Sequence, residues 1–177
     1  MRIVVCVKHV PDMQSERRFE GGRLVRGEDD VLNELDENAI EAAVQLKESE
    51  EDAGREAEVV ALTMGPEDAE DSLMRALQMG ADRAYIVSDE FLEGSDVITT
   101  ASVLAVAIAK ISEECGPVDL VITGMASLDA MTSMLPGALA AKAHMPLLGL
   151  ARSLSVADGA VTIERAVDGY TETVRAA

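Results

Sequence analysis

The sequence predicts an α/β fold of three layers, in which a doubly wound, mostly parallel sheet lies between helices on both faces. Strand-length apolar segments, rich in β-branched residues, recur along the chain at 3–7, 58–63, 83–87 and 119–123. Amphipathic or Ala-rich segments of helical length separate them. This alternation is typical of parallel strands joined by right-handed crossovers.

Residues that start and stop helices delimit the segments between the strands. Asn33 can cap the first helix, after a long polar stretch that follows the first strand. The second helix has Pro66 near its first turn and Gly80 just past its end. Ser95 is expected to cap the third helix, which continues to about Ile111.

The pattern changes near the C-terminus, where alternating segments replace the continuous apolar ones. Asp158-Gly159 is a turn signal and predicts an antiparallel β-hairpin over residues 153–165. Another strand begins near Thr171, so the chain is expected to be cut within a larger fold. We expect residues 1–177 to form a single α/β domain.

The composition excludes several classes of function. A formal net charge of -18 and an isoelectric point near 4.3 argue against nucleic acid and anionic membranes as partners. No segment approaches the roughly 20 apolar residues that span a bilayer. Cys6 and Cys115 form no Cys-x-x-Cys pair, which favours a reduced, cytoplasmic compartment. Two histidines without a carboxylate cluster give no support for a metal site.

Parallel sheets of this kind bind ligands at the carboxyl ends of their strands, where the strand order reverses. The segment after the fourth strand has three hydroxyls and one carboxylate before a helix expected over residues 135–143: Ser127, Asp129, Thr132 and Ser133. Small polar residues before a helix suit a phosphate or a ribose, although a role as turn and cap residues explains them equally well. Neither a Gly-x-x-x-x-Gly-Lys-Ser/Thr loop nor a Gly-x-Gly-x-x-Gly motif is present.

A second candidate is the segment 33–37, where Asn33 can cap the helix or direct a polar group at a ligand. Capping is the better supported of the two roles. Lys8 and His9 follow the first strand and could reach a ligand, but solvated side chains are the commoner outcome there. No nucleophile and base are paired in the sequence, so we expect no catalytic residues and no enzyme activity.

Six short motifs occur in order over nearly the whole chain: VKHVPD at 7–12, NELDENA at 33–39, MGP at 64–66, ALQMGADR at 76–83, DLVITG at 119–124 and VDG at 167–169. Together they resemble the electron-transfer flavoprotein beta subunit. The Gly-Ala-Asp-Arg step after a Met-rich helix and the Asp-Gly followed by Glu172-Thr173-Val174 are its more specific features.

The resemblance implies a Rossmann-like, adenine-nucleotide-binding fold and a heterodimer with an alpha subunit. In such a heterodimer, FAD is held mainly by the alpha subunit, and the beta subunit holds a structural AMP. Electrons would pass from acyl-CoA or related dehydrogenases to a quinone reductase or another acceptor. The family's chain also continues past the hairpin into a part that recognises partners.

The same resemblance assigns residues to the AMP site: Cys6, Asn33, Glu34, Leu35, Asp36, Met64, Gly124, Met125, Ala126, Ser127, Leu128, Asp129, Thr132 and Ser133. The segment 130–135 departs from the family because it lacks the usual glycines and glutamine. Contacts to the phosphate are therefore expected to be altered there.

Two other functions are compatible with such a sheet. An ATP- or AMP-binding stress or signalling module would need Gly-x-x-Gly followed by Gly-Ser or Gly-Thr, and residues 124–137 have no such spacing. An independent flavodoxin-like carrier would need aromatic walls to stack a flavin, yet aromatic residues make up only 2% of the chain.

Overall fold

The structure is a computed structural model that describes residues 1–177 and contains four helices and eleven strands. The strands are β1 (Arg2–Cys6), β2 (His9–Pro11), β3 (Phe19–Glu20), β4 (Arg23–Leu24), β5 (Asp30–Leu32), β6 (Glu58–Met64), β7 (Arg83–Val87), β8 (Leu120–Thr123), β9 (Ser153–Ala157), β10 (Ala160–Val167) and β11 (Tyr170–Ala176). The helices are α1 (Glu34–Asp52), α2 (Glu70–Gln78), α3 (Val97–Cys115) and α4 (Leu135–Ala143).

The central sheet is parallel and has the strand order β7-β6-β1-β8. Val4 of β1 lies opposite Val60 of β6 on one side and Val121 of β8 on the other. The chain therefore builds outwards from β1 through β6 to β7, and then returns to the other side of β1 for β8. The reversal places a topological switch point between β1 and β8, which confirms the predicted doubly wound α/β architecture.

Two apolar clusters, one on each face of the sheet, form the core. Ile3 and Val5 of β1 point towards α1 and α2, whereas Val4 and Cys6 point towards α3 and α4. All four side chains are buried. Because both faces are covered, the central strands are apolar at most positions, and each large apolar side chain contributes roughly 1.5 to 3 kcal/mol through burial.

Most predicted boundaries agree with the structure, but the start and end of α3 were wrong. The cap of α3 is Asp96, whose Oδ1 accepts a hydrogen bond from the Thr99 amide at 2.7 Å. Ser95 instead donates through Oγ to the Leu92 carbonyl at 2.7 Å, in the preceding turn. The helix continues beyond Ile111 to Cys115. Two adjacent residues could each act as a cap, and the path of the incoming turn decides between them.

The C-terminal strands form a separate antiparallel sheet with the order β9-β10-β11. Asp158 and Gly159 both have positive φ, 52° and 70°, as the predicted two-residue hairpin turn requires. Asp168 and Gly169 repeat this conformation before β11, so the strand expected near Thr171 extends the hairpin into a three-stranded meander. One face of the meander packs against the core that α1 and α2 cover.

An arm that the sequence pattern did not predict lies within the first crossover. We call residues 12–29 the arm. Its base is the antiparallel pair of β2 and β5, where Val10 and Leu32 are buried. Its tip is the short hairpin of β3 and β4. Every side chain between the two ends is exposed or only partly covered.

Many acidic side chains lie in the first turns of helices. Glu34, Asp36 and Glu37 begin α1, and Glu70 and Asp71 begin α2. Negative charge at these positions is stabilised by the helix dipole. None of the four helices combines the length and the apolar character needed to cross a bilayer.

The cap of α3 can be tested with two alanine variants. Asp96→Ala should lower the free energy of unfolding by about 1 kcal/mol, because the Thr99 amide loses its acceptor. Ser95→Ala, the matched control, should change it by less than about 0.5 kcal/mol. Urea unfolding followed by circular dichroism measures both. A larger loss in Ser95→Ala would contradict the assignment.

Candidate functional site

Three chain segments meet at the carboxyl edge of the sheet, beside the switch point between β1 and β8. They are the exit of β1 at Lys8, the start of α1 at 33–36, and residues 124–134, which we call the β8 loop. The structure therefore brings together segments that the sequence nominated separately.

Asn33 ties the start of α1 to the β8 loop. Its side chain is 1% exposed, and its Nδ2 donates to the Ala126 carbonyl at 2.9 Å while its Oδ1 accepts from the Leu128 amide at 3.0 Å. Its backbone amide donates to the Lys8 carbonyl at 2.9 Å. Asn33 makes no side-chain cap for α1, so the preferred capping role was wrong. An amide side chain suits this position because it can donate and accept at once.

Asp36 connects the exits of β1 and β8. Its Oδ2 accepts from the Lys8 amide at 2.9 Å. Burial raises the pKa of the Asp36 carboxyl to about 6, although Asn33, the Lys8 amide and the Gly124 amide act in the opposite direction. A Cβ on Gly124 would lie 2.1 Å from Asp36 Oδ1 and 3.0 Å from the Leu35 carbonyl oxygen. This close approach requires glycine at residue 124.

Asp129 is the centre of the charge network in the β8 loop. Its side chain is 1% exposed and pairs with Lys8 Nζ at 2.8 Å and with Arg26 of the arm. Burial alone would raise the pKa of the Asp129 carboxyl, but the bonds from Lys8 and Arg26 outweigh it and hold that pKa well below its usual range. Lys8 Nζ also lies 3.5 Å from Ser127 Oγ. The expectation that Lys8 is simply solvated was therefore wrong.

The second half of the β8 loop leads into α4 without a side-chain cap. The Ser127 carbonyl accepts from the amides of Ala130 and Met131, at 3.2 and 2.7 Å, and closes a turn. Met131 and Ser133 then adopt φ of 52° and 51°, so non-glycine residues occupy left-handed conformations. Thr132 and Ser133 are exposed. The start of α4 has no side-chain cap, and Pro136 in its first turn has no N–H. The Ala138 amide donates to the Met134 carbonyl at 3.1 Å, so only the Leu135 and Gly137 amides are left without a partner in the first turn.

The remaining residues of the predicted site differ in their placement. Cys6 is buried beneath the site, where burial and then the nearby Asp36 raise the pKa of its thiol to about 12. Glu34 is exposed at the start of α1. Met125 is 54% exposed on the β8 loop. Met64 ends β6, on the opposite side of β1 from the loop, and lies in register with Val87.

His9 also differs from the expectation of a solvated side chain. It is buried, and its Nδ1 lies 2.7 Å from Ser72 Oγ of α2, which is itself fully buried. A histidine and a serine at this distance resemble part of a catalytic pair. Because both are inaccessible, they act as a packing contact between β2 and α2.

An apolar groove of about 560 Å³ lies away from the site, between the edge strand β7 and α3. Its walls include Tyr85, Val87, Val106 and Ile111. It lacks the convergent polar groups that fix the orientation of a nucleotide. The β8 loop is therefore the better candidate for the functional site.

Comparison with known families agrees with this geometry. A model described as the electron transfer flavoprotein domain matches residues 22–177, which is most of the chain. The chain belongs to the electron transfer flavoprotein domain family. The resemblance found in the sequence motifs is thereby confirmed, and membership argues against a stress or signalling module on a similar sheet.

Curated relatives within the electron transfer flavoprotein family are more than one third identical to this chain over the aligned residues. The electron transfer flavoprotein subunit beta of Mycobacterium tuberculosis is 38% identical over 177 residues, which cover 98% of this chain and 65% of the relative. The subunit of the same name from Megasphaera elsdenii is 36% identical over 179 residues, covering 98% and 64%. The caffeyl-CoA reductase-Etf complex subunit CarD of Acetobacterium woodii is 36% identical over 173 residues, covering 96% and 63%. The chain thus spans somewhat less than two thirds of the length of these relatives.

Glycine at residue 124 can be tested by adding a single methyl group. Gly124→Ala should lower the free energy of unfolding by about 3 kcal/mol, because the new Cβ would displace Asp36. Gly137→Ala in α4 is the matched control, since the nearest atom to its Cβ would be 4.0 Å away. That variant should be neutral or up to about 1 kcal/mol more stable. Equal stabilities in urea would contradict the close approach.

The raised pKa of Asp36 predicts a pH dependence of stability. The folded protein binds a proton at Asp36 more tightly than the unfolded chain, so the free energy of unfolding should fall as pH rises from about 4 to about 6. The contribution of Asp36 to this fall should be on the order of 3 kcal/mol. Asp129 acts with the opposite sign, since its depressed pKa confers stability that is lost only as pH falls below about 4.

Urea unfolding between pH 4 and 7 measures this contribution when the wild type is compared with Asp36→Asn. The variant has no proton to lose at this residue, so its stability should fall less over the same range. If both proteins lose the same free energy between pH 4 and 6, Asp36 titrates normally and the assignment is wrong.

Proposed function

We propose that this chain forms the nucleotide-binding part of the beta subunit of a heterodimeric electron-transfer flavoprotein. The observation that most directly supports this is the attachment of the β8 loop to α1 through both polar atoms of the buried Asn33. It holds the loop in one conformation at the switch point of the sheet, where adenine nucleotides bind in folds of this kind. The names of the related subunits support the same role.

The proposed ligand of this site is AMP with a structural role. Lys8 and Arg26 supply positive charge, and the start of α4 offers the amides of Leu135 and Gly137 to a phosphate. The hydroxyls of Ser127 and Thr132 suit the ribose and phosphate side. Met125 and Met131 are more than half exposed and offer polarisable, adaptable surfaces for the adenine ring. The residues present therefore fit a nucleoside monophosphate, although the loop lacks the glycines of its relatives.

The proposed heterodimer contains FAD, held mainly by the alpha subunit. A flavin site on this chain would need aromatic side chains to enclose the ring system. The aromatic residues do not form such walls, since Phe19, Phe91 and Tyr170 are 71%, 98% and 76% exposed and lie on separate segments. The bound flavin would supply the redox chemistry, and this chain would supply an interface and a rigid nucleotide site.

The proposed electron donors are acyl-CoA or related dehydrogenases, and the proposed acceptor is a quinone reductase or another carrier. The relative CarD is named as a subunit of a caffeyl-CoA reductase-Etf complex, which supports a link to enzymes acting on CoA thioesters. In this role the chain makes and breaks no covalent bonds of its own. The inaccessibility of the His9–Ser72 pair is consistent with that role.

The proposal is tested by co-expressing the full-length subunit with candidate alpha subunits and purifying the complex. Acid release followed by chromatography should yield AMP and FAD, each near one equivalent per heterodimer, and the complex should accept electrons from a CoA-linked dehydrogenase. A complex that transfers electrons fully but releases no adenine mononucleotide would refute the AMP site. A chain that binds flavin tightly without a partner would instead favour the independent carrier.

The role of Asp129 predicts a loss of AMP in one variant. Asp129→Asn should weaken AMP binding by about tenfold, because Lys8 and Arg26 lose the carboxylate that positions them. This loss is expected to outweigh the gain in positive charge. Asp158→Asn on the β9–β10 turn is the matched control and should retain AMP as the wild type does. Isothermal titration of the nucleotide-free complexes with AMP measures both, and unchanged affinity in Asp129→Asn would count against the role.

A further inference from the structure

The arm lies against the β8 loop and touches it through two arginines. Arg17 Nη1 donates to the Leu128 carbonyl at 3.3 Å, and Arg26 pairs with Asp129. Both backbone groups of Leu128 are therefore held, because its amide also donates to Asn33 Oδ1 at 3.0 Å. The arm contacts the two loop residues that α1 and Lys8 also hold in place.

Polar contacts alone hold the arm in this position. No residue between 12 and 29 is buried, and Phe19 and Met13 are 71% and 54% exposed. Segments without buried apolar contacts open at a low free-energy cost. The base of the arm, by contrast, is held in place. Val10 and Leu32 are buried in the core, and the Asp12 amide donates to the Asp29 carbonyl at 2.9 Å. The arm is therefore expected to open at a lower free-energy cost than its base.

Closure of the arm changes the charge of the site. Asp129 is ionised and Lys8 neutralises it, so these two residues alone carry no net charge. With the arm closed, Arg26 adds one positive charge to the β8 loop at Asp129. A phosphate therefore interacts more favourably with the closed arm than with the open arm, and by linkage a bound phosphate favours closure.

We propose that the arm is a lid over the nucleotide site, and that the Arg26–Asp129 ion pair is the latch that controls how fast the nucleotide leaves. This inference rests on the proposed AMP site and adds a moving element to it. Arg26 is a positioning residue, since it acts by holding the arm against the β8 loop. The lid also explains how a loop without glycines can retain a nucleotide, because the arm supplies contacts that the loop lacks.

The test compares Arg26→Gln with Arg23→Gln in the purified heterodimer loaded with AMP. Arg23 is the matched control because it lies on the same arm but pairs with Glu93, away from the β8 loop. Arg26→Gln should raise the dissociation rate of AMP by about tenfold, as expected for the loss of a charged hydrogen bond. It should also speed hydrogen exchange at the Val25 amide, which donates to the Arg18 carbonyl within the arm. Arg23→Gln should leave both rates near those of the wild type.

The possible outcomes distinguish a failure of the proposed lid from a failure of the proposed AMP site. Retained AMP that leaves at the same rate from all three proteins would overturn the lid and leave the AMP site standing. Faster exchange at Val25 without faster release of AMP would also overturn it, because the arm would then be a structural element only. A wild-type heterodimer that binds no AMP would overturn the proposed site and the lid together.

Discussion

The candidate site depends on one interaction, the pair of hydrogen bonds between the Asn33 side chain and the backbone of the β8 loop. Both polar atoms of this side chain are used within a buried environment, so neither the amide nor the loop can move without leaving an unsatisfied group. The cost of breaking such bonds fixes the distance between α1 and β8. The strand exits on either side of the switch point consequently form one surface.

Two carboxylates beside this interaction are shifted in opposite directions, and the difference arises from their partners. Burial dominates at Asp36, whose nearest partners are backbone amides, so its pKa is raised. Asp129 is equally inaccessible but has two cations in contact, and its pKa is depressed. A buried charge is tolerated where a counterion meets it, and protonation becomes favourable where none does. The site therefore has one carboxyl that stabilises the fold when neutral and one that stabilises it when ionised.

Family membership concerns the chain as a whole, whereas the structure shows the backbone conformation of the β8 loop. The match over residues 22–177 shows membership in the electron transfer flavoprotein domain family, while the β8 loop has Met131 and Ser133 in left-handed conformations where glycine is favoured. Such conformations cost roughly 1 kcal/mol each and persist where the surroundings hold them. Asn33, Lys8 and the arm hold residues 126–129, which precede these two residues in the β8 loop.

Much of the fold could be predicted from the sequence, because the limits of strands, helices and turns depend on residues that are close together in the chain. The limits of β7 and α4 agree with the apolar pattern, and the conformation of Asp158-Gly159 follows from the preference of this pair for positive φ. The cap of α3 could not be read in this way. Ser95 and Asp96 are both good caps, and only the path of the chain selects Asp96.

By itself the sequence determined the alternation of strands and helices, the family, and the segments that meet at the switch point, because each depends on periodicity or on contiguous motifs. Only the tertiary structure decided what the polar residues do there. Asp129 meets Lys8 across 121 residues of chain and Arg26 across 103, and no local pattern records such pairings. The role of Asn33 also depended on the tertiary structure, because the same residue could either cap α1 or bond to a distant loop. Which one forms depends on whether a partner backbone is brought within reach.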